Sequence, residues 1–224
     1  MTETILILGG TREAAELAAE IVRRHPDWRV VTSLAGRTRE PKPVAGELRI
    51  GGFGGAAGLA RYLREQGVTR LIDATHPFAR QISANARMAA EMTAIPLEER
   101  IRAPWHRQPG DLWTEVATLE AARDAIPPGA RVLLALGSQH IAPFASRADV
   151  HFVVRVVDPP TEPFPLPAHQ LVLGLPGKTP DEEATLLRKY RITHIVCRNS
   201  GGSGAYAKIA AARDLGLPVI MISR

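Results

Sequence analysis

The chain has 224 residues, 28 Lys and Arg against 23 Asp and Glu for a formal charge of +5, and a single cysteine. That length can bury one large or two small α/β cores without covalent staples, and one cysteine excludes a disulfide framework. The positive residues are scattered, only 5% of residues are aromatic, and no apolar run nears a membrane span, so neither nucleic acid nor membrane is an expected partner.

Apolar runs of strand length alternate with helix-period segments, the pattern of β-α units and a parallel sheet. The N-terminal Met1-Thr2-Glu3-Thr4 runs straight into a strand near 5–8, which reads as a chain without a signal peptide and points to a cytoplasmic location. Gly9-Gly10-Thr11-Arg12-Glu13-Ala14 follows and opens a helix over 12–24. Glycines there let backbone amides and the helix dipole meet a phosphate. Thr11 stands where the usual dinucleotide fingerprint has its second glycine and Ala14 where it has the third, so Thr11 is equally readable as a helix cap. Gly9, Gly10, Thr11 and Arg12 are the first candidate cofactor contacts.

The second strand, near 29–33, ends in Thr32-Ser33-Leu34-Ala35-Gly36-Arg37-Thr38-Arg39, with no acid before Glu40. An NAD site usually carries Asp or Glu there for the ribose hydroxyls. Ser33, Ala35, Gly36, Arg37 and Thr38 instead suit a 2′-phosphate, and a solvated basic loop is the plain alternative. A short strand near 48–50 leads to Gly51-Gly52-Phe53-Gly54-Gly55, where Gly52 permits close approach of a ligand, and a helix is expected over 55–66.

The strand near 69–73 hands over to Asp73-Ala74-Thr75-His76-Pro77-Phe78-Ala79 and a helix over 78–92. An acid, a hydroxyl and an imidazole meet there, and Pro77 biases His76 towards extended backbone. Asp73, Thr75, His76 and Pro77 join the cofactor set, with His76 also a candidate proton donor. A strand near 95–100 closes this half, and the boundary is placed at 100/101 within a vague stretch, 98–110.

In the second half, strands are expected near 112–116, 131–136, 150–156, 170–173, 193–197 and 218–222, and helices near 118–125, 139–145, 180–189 and 204–214. Five prolines between Asp158 and Pro167 demand an extended loop. Gly174-Leu175-Pro176-Gly177-Lys178-Thr179 imitates a Walker loop, but Val172 holds the place of its first glycine. Cys197 lies in an apolar strand and reads as a buried small hydrophobe. The seven histidines show no metal-ligand spacing, so no metal is expected. Arg198-Asn199-Ser200-Gly201-Gly202 forms a third glycine-rich turn, followed by Tyr206 and Lys208. Its amides can make an anion nest, and the two side chains are candidate proton donors or carboxylate binders; an ordinary amphipathic helix start is the equal alternative.

These motifs together, with Asp73-Ala74-Thr75-His76-Pro77-Phe78-Ala79 the most specific, resemble the precorrin-6A reductase family of cobalamin biosynthesis, in order and over essentially the whole chain. One departure is Gly174-Leu175-Pro176-Gly177, where a shorter Gly-Pro-Phe turn is expected. The resemblance implies two Rossmann-like parallel-sheet α/β units, 1–100 and 101–224, with the ligand cleft between them. It implies NADPH as cofactor and reduction of one double bond of the macrocycle, giving precorrin-6B. The partner is then a tetrapyrrole polycarboxylate, which suits a chain rich in arginine, and neighbouring enzymes of the pathway are further candidates. Arg198, Asn199, Ser200, Gly201, Gly202 and Lys208 are the expected substrate contacts, and His76, Tyr206 and Lys208 the candidate proton donors. Two alternatives stay open: a substrate already carrying cobalt, and a nucleotide-sensing module without catalysis. An epimerase reading fails for want of a Tyr-x-x-x-Lys pair.

Overall fold

A computed structural model describes residues 2–36 and 43–224. The chain divides into two compact units, residues 1–102 and 103–224. Each carries its own all-parallel sheet with helices, the α/β class expected from the alternating pattern. No helix among the described residues is long and apolar enough to cross a membrane.

The first unit runs β1 (Thr4–Leu8), α1 (Arg12–Arg24), β2 (Arg29–Leu34), β3 (Glu47–Ile50), α2 (Gly55–Glu65), β4 (Arg70–Asp73), α3 (Arg80–Thr93) and β5 (Leu97–Glu99). The sheet order is β3-β2-β1-β4-β5. The two-residue period of β1 explains why helices cover both faces. Leu6 and Leu8 pack with Leu59 and Leu63 of α2 and Ala86 and Ala89 of α3, whereas Ile5 and Ile7 pack against Ala14 and Ala18 of α1. Small residues let α1 sit close to the sheet. Two glycines are set by packing: a Cβ on Gly9 would lie 2.9 Å from Thr32 Cγ2, and one on Gly58 would collide with the Phe53 carbonyl at 1.7 Å.

The second unit contains β6 (Trp113–Val116), α4 (Leu119–Asp124), β7 (Arg131–Ala135), β8 (His151–Val156), β9 (His169–Leu173), α5 (Pro180–Lys189), β10 (His194–Arg198), α6 (Ala207–Asp214) and β11 (Val219–Ile222). Their order is β6-β11-β10-β7-β8-β9. Leu133, Val153, Ile195, Cys197 and Met221 form the core under Leu187 of α5 and Ile209 of α6. A buried bidentate ion pair crosses this unit, Arg155 Nη1 to Glu183 Oε1 at 2.8 Å and Nη2 to Oε2 at 3.0 Å, and Glu183 also accepts from the Gly177 amide. It ties the glycine loop after β9 to α5.

Two expectations for this half need correction. The helix placed at 139–145 is a pair of short 3₁₀ turns, Ser138–His140 and Ala142–Ser146. Pro143 sits at the start of the second and offers no amide, and only a tight connection is needed between β7 and β8. The helix placed at 204–214 begins at Ala207. Gly201 and Gly202 both hold positive φ, 65° and 67°, and Tyr206 N donates to Ser203 O (3.3 Å), so those residues form a turn before the helix.

Candidate functional site

In the first unit the sheet reverses its direction of growth between β1 and β4, and the carboxyl ends of such neighbouring strands frame a ligand crevice. Leu8 pairs with Asp73 in register, which brings the Gly9-Gly10-Thr11 turn beside the Asp73-to-Ala79 turn. Thr11 joins them. Its Oγ1 accepts from Ala14 N (3.0 Å), capping α1, and donates to Ala74 O (3.0 Å). Gly10 holds φ 102° with open space where a Cβ would stand, so its backbone faces solvent unobstructed. The first amides of α1 have no intrahelical acceptor, and the dipole favours an anion there. Arg12, in contrast, points outward and pairs with Glu16 at 2.7 Å.

Asp73 is buried and spends one carboxylate oxygen on its own turn: Oδ1 accepts from Thr75 N (3.0 Å) and Thr75 Oγ1 (2.6 Å). This fixes the exit from β4. Ala79 N donates to His76 O (2.7 Å), and Phe78 N donates to His76 Nδ1 (3.3 Å). A neutral ring accepting at Nδ1 carries its proton on Nε2. A cavity of about 240 Å³ opens at this edge, lined by Thr11, Glu13, Ala74, Thr75, Arg100 and Arg102. Arg102 Nη1 reaches Glu13 Oε2 at 3.0 Å, fastening the segment after β5 to the first turn of α1. A larger hollow, about 370 Å³, lies farther along α1 against Trp28 and Arg70 and touches neither glycine turn. Of the two, the smaller cavity is the one that adjoins the paired turns.

At the end of β2, Ser33 is buried, its carbonyl accepting from Gly9 N (2.9 Å), while Ala35 and Gly36 are exposed. Arg37 and Thr38 lie outside the described residues. Gly52 is exposed and its carbonyl accepts from Arg49 Nη2 (3.0 Å). Arg49 was not among the residues singled out from the sequence. Its signal is weak: an arginine on a short strand, two residues before a glycine run and four before Phe53.

The third turn is arranged differently from expectation. Asn199 turns its amide onto the backbone of Trp105, Oδ1 accepting from Trp105 N (2.7 Å) and Nδ2 donating to Trp105 O (2.9 Å). Trp105 Nε1 donates to Gly202 O (2.7 Å), and Ser200 N donates to Arg198 O (2.8 Å). A Cβ on Gly201 would stand 2.1 Å from Ala103 O. Asn199, Ser200, Gly201 and Gly202 thus engage neighbouring backbone within their own unit, and the Ser200 amide is not available to an open nest. Arg198 ends β10 half-buried beside them.

Lys208 departs furthest from the expected role. It is 3% exposed, and its Nζ donates to Ala205 O (2.7 Å) while standing 5.1 Å from the Trp105 ring centroid. Position 208 falls on the buried side of α6 with Ile209, Ala211 and Ala212. Burial pushes its pKa down from the ordinary lysine value, and the same burial pushes the Cys197 thiol up. In this arrangement the ammonium ties α6 to the turn before it. Tyr206 stays half-buried, its hydroxyl accepting from Arg213 Nη2 (2.7 Å). Among the described residues no cluster of three His, Cys, Asp or Glu could hold a metal.

A parallel sheet with a glycine turn and an acidic turn bonded together at the switch point defines a doubly wound α/β protein with its ligand crevice at that edge. The family model described as precorrin-6x reductase CbiJ/CobK matches residues 4–224. A precorrin-6A reductase of Rhodobacter capsulatus is 48% identical over 98% of this chain and 87% of its own length. A cobalt-precorrin-6A reductase of Priestia megaterium is 29% identical over 98% of this chain and 90% of its own. The solved structure of a CobK precorrin-6A reductase matches with a TM-score of 0.95 at 49% identity, covering 100% of this chain and 88% of that one. The chain belongs to the precorrin-6x reductase family, and it is an enzyme of the reductase class.

Proposed function

We propose that the protein reduces one double bond of precorrin-6A to give precorrin-6B in cobalamin biosynthesis, with NADPH as the reductant. The observation that carries the cofactor half of this reading is the Thr11 bridge to Ala74. It holds an open glycine turn and the Asp73 turn together at the edge where dinucleotides bind in such sheets. The residues present fit the group: Gly10 leaves room for a pyrophosphate against the start of α1, and Ser33 is the penultimate residue of β2, near where an NAD site would carry an acid. When bound, the nicotinamide supplies a hydride.

This chain's own residues then have separate tasks. Gly9, Gly10, Thr11 and the amides opening α1 hold the phosphates. Ser33, Ala35, Gly36, Arg37, Thr38 and Gly52 belong to the proposed adenosine end. Asp73 and Thr75 hold the β4 turn so that Pro77 and His76 present a fixed surface, and His76 is the proposed proton donor. Sequence distance favours the metal-free substrate, since the Rhodobacter capsulatus protein named for precorrin-6A is 48% identical and the Priestia megaterium protein named for its cobalt form 29%. Mixing the enzyme with NADPH and precorrin-6A should bleach the nicotinamide absorbance as one double bond of the macrocycle takes up a hydride and a proton. NADPH that binds yet is not oxidised by either precorrin-6A or its cobalt form would identify a sensor instead.

A further inference from the structure

Among the described residues, Arg49 is a cation held in place without an anion. Its strand position pairs with Ser33 in the β2–β3 register, and Nη1 donates to Ser33 Oγ (3.3 Å) and to the Gly51 carbonyl. Nη2 donates to Gly52 O (3.0 Å), and the guanidinium lies over Phe53, 3.8 Å from its ring centroid, with Tyr62 at 5.1 Å. Every one of these partners is neutral. The acid on the same strand, Glu47, is already gripped by Arg29 through two bonds of 2.8 Å.

A guanidinium has five N–H donors. Among the described residues, the three bonds above leave Nε–H and one hydrogen on Nη2, two donors suited to a forked grip on an oxyanion. The stack on Phe53 and the two carbonyls restrict the side chain before any ligand arrives, so little ordering entropy remains to be lost on binding. The place matters as much as the charge. The carboxyl end of β2 is where the adenosine ribose lies in sheets of this order, and Arg49 reaches that end through Ser33.

We infer that Arg49, on β3, is the residue that distinguishes NADPH from NADH by gripping the 2′-phosphate. The inference rests on the dinucleotide reading given above and assigns its selectivity to a residue other than Arg37. The test is calorimetric titration of the full chain with NADP⁺ and with NAD⁺, for the native protein, Arg49→Gln and Arg49→Lys. The native protein should bind NADP⁺ more tightly. Arg49→Gln should lose about tenfold or more in NADP⁺ affinity while NAD⁺ binding stays within about twofold, and Arg49→Lys, with a charge but no fork, should fall between. Retained NAD⁺ binding also certifies that the turn is still folded. Equal losses for both dinucleotides would make Arg49 only an anchor of the Gly51-Gly52 turn and overturn the inference. Unchanged preference for NADP⁺ in Arg49→Gln would overturn it too, while leaving the dinucleotide reading intact. A native protein that binds neither dinucleotide would remove both.

Discussion

Replacing Thr11 by valine keeps the shape of the side chain and deletes the hydroxyl that joins the two turns of the first unit. Two bonds disappear together. The cap on α1 loses its acceptor for Ala14 N, a change that typically costs about 1 kcal/mol. The carbonyl of Ala74, a residue only 5% exposed, loses its donor, and an unsatisfied buried acceptor costs about 1–3 kcal/mol. The expected destabilisation is therefore about 2–4 kcal/mol for Thr11→Val. Thr11→Ser keeps both bonds, gives up one methyl of a partly exposed side chain, and should stay within about 1 kcal/mol of the native protein. Urea unfolding measures both variants, and titration with NADP⁺ under native conditions shows whether release of the turn also weakens dinucleotide binding. Valine and serine variants of equal stability, whether both mild or both severe, would refute the assignment of the hydroxyl as the bridge.

Three further outcomes are expected. His76→Ala should lower kcat by about a hundredfold or more if the imidazole donates the proton, while the melting temperature changes little because the ring is only half-buried and its bond from Phe78 N lies within its own turn; normal turnover with a lowered melting temperature would make His76 a packing residue. Lys208 has a folded-state pKa below the unfolded value of 10.5, so the folded state binds fewer protons between the two values and stability rises with pH through that window, the burial penalty vanishing above it. The stability advantage of Lys208→Met over the native protein should accordingly shrink as pH is raised from 7 towards the unfolded pKa, with kcat unchanged, and a gap independent of pH would contradict the burial argument. Breaking the Arg155–Glu183 pair with Arg155→Met should cost about 3–5 kcal/mol by leaving a buried carboxylate unpaired. The double variant Arg155→Met/Glu183→Leu should cost clearly less than the sum of its two singles in a denaturation cycle, whereas additivity would mean that the two side chains do not interact.

Much of this protein is local and therefore legible in one dimension. Strand runs such as Ile5 to Leu8 and Ile195 to Cys197, the turn chemistry of Gly9-Gly10 and Gly201-Gly202, and the prolines between Asp158 and Pro167 act through neighbouring backbone torsions, so their elements follow from the residues themselves. The Asp73-to-Ala79 turn belongs to this group as well, since Asp73 bonds Thr75 only two positions away. What tertiary structure decided is which of these residues meet and which are withdrawn from solvent. Thr11 and Ala74 are 63 positions apart and touch only because β1 and β4 are parallel neighbours in register. Arg49 gains its place through the pairing of β3 with β2, which no periodicity along the chain announces. Lys208 and Asn199 read as ligand-binding residues in a glycine-rich turn, but Lys208 lies on the buried side of α6 with its ammonium on Ala205 O, and Asn199 spends its amide on the backbone of Trp105. A side chain's chemistry is written in its type; whether that chemistry faces a ligand or the backbone depends on the rotation of the element that bears it, and that rotation is set by the packing of parts of the chain distant in sequence.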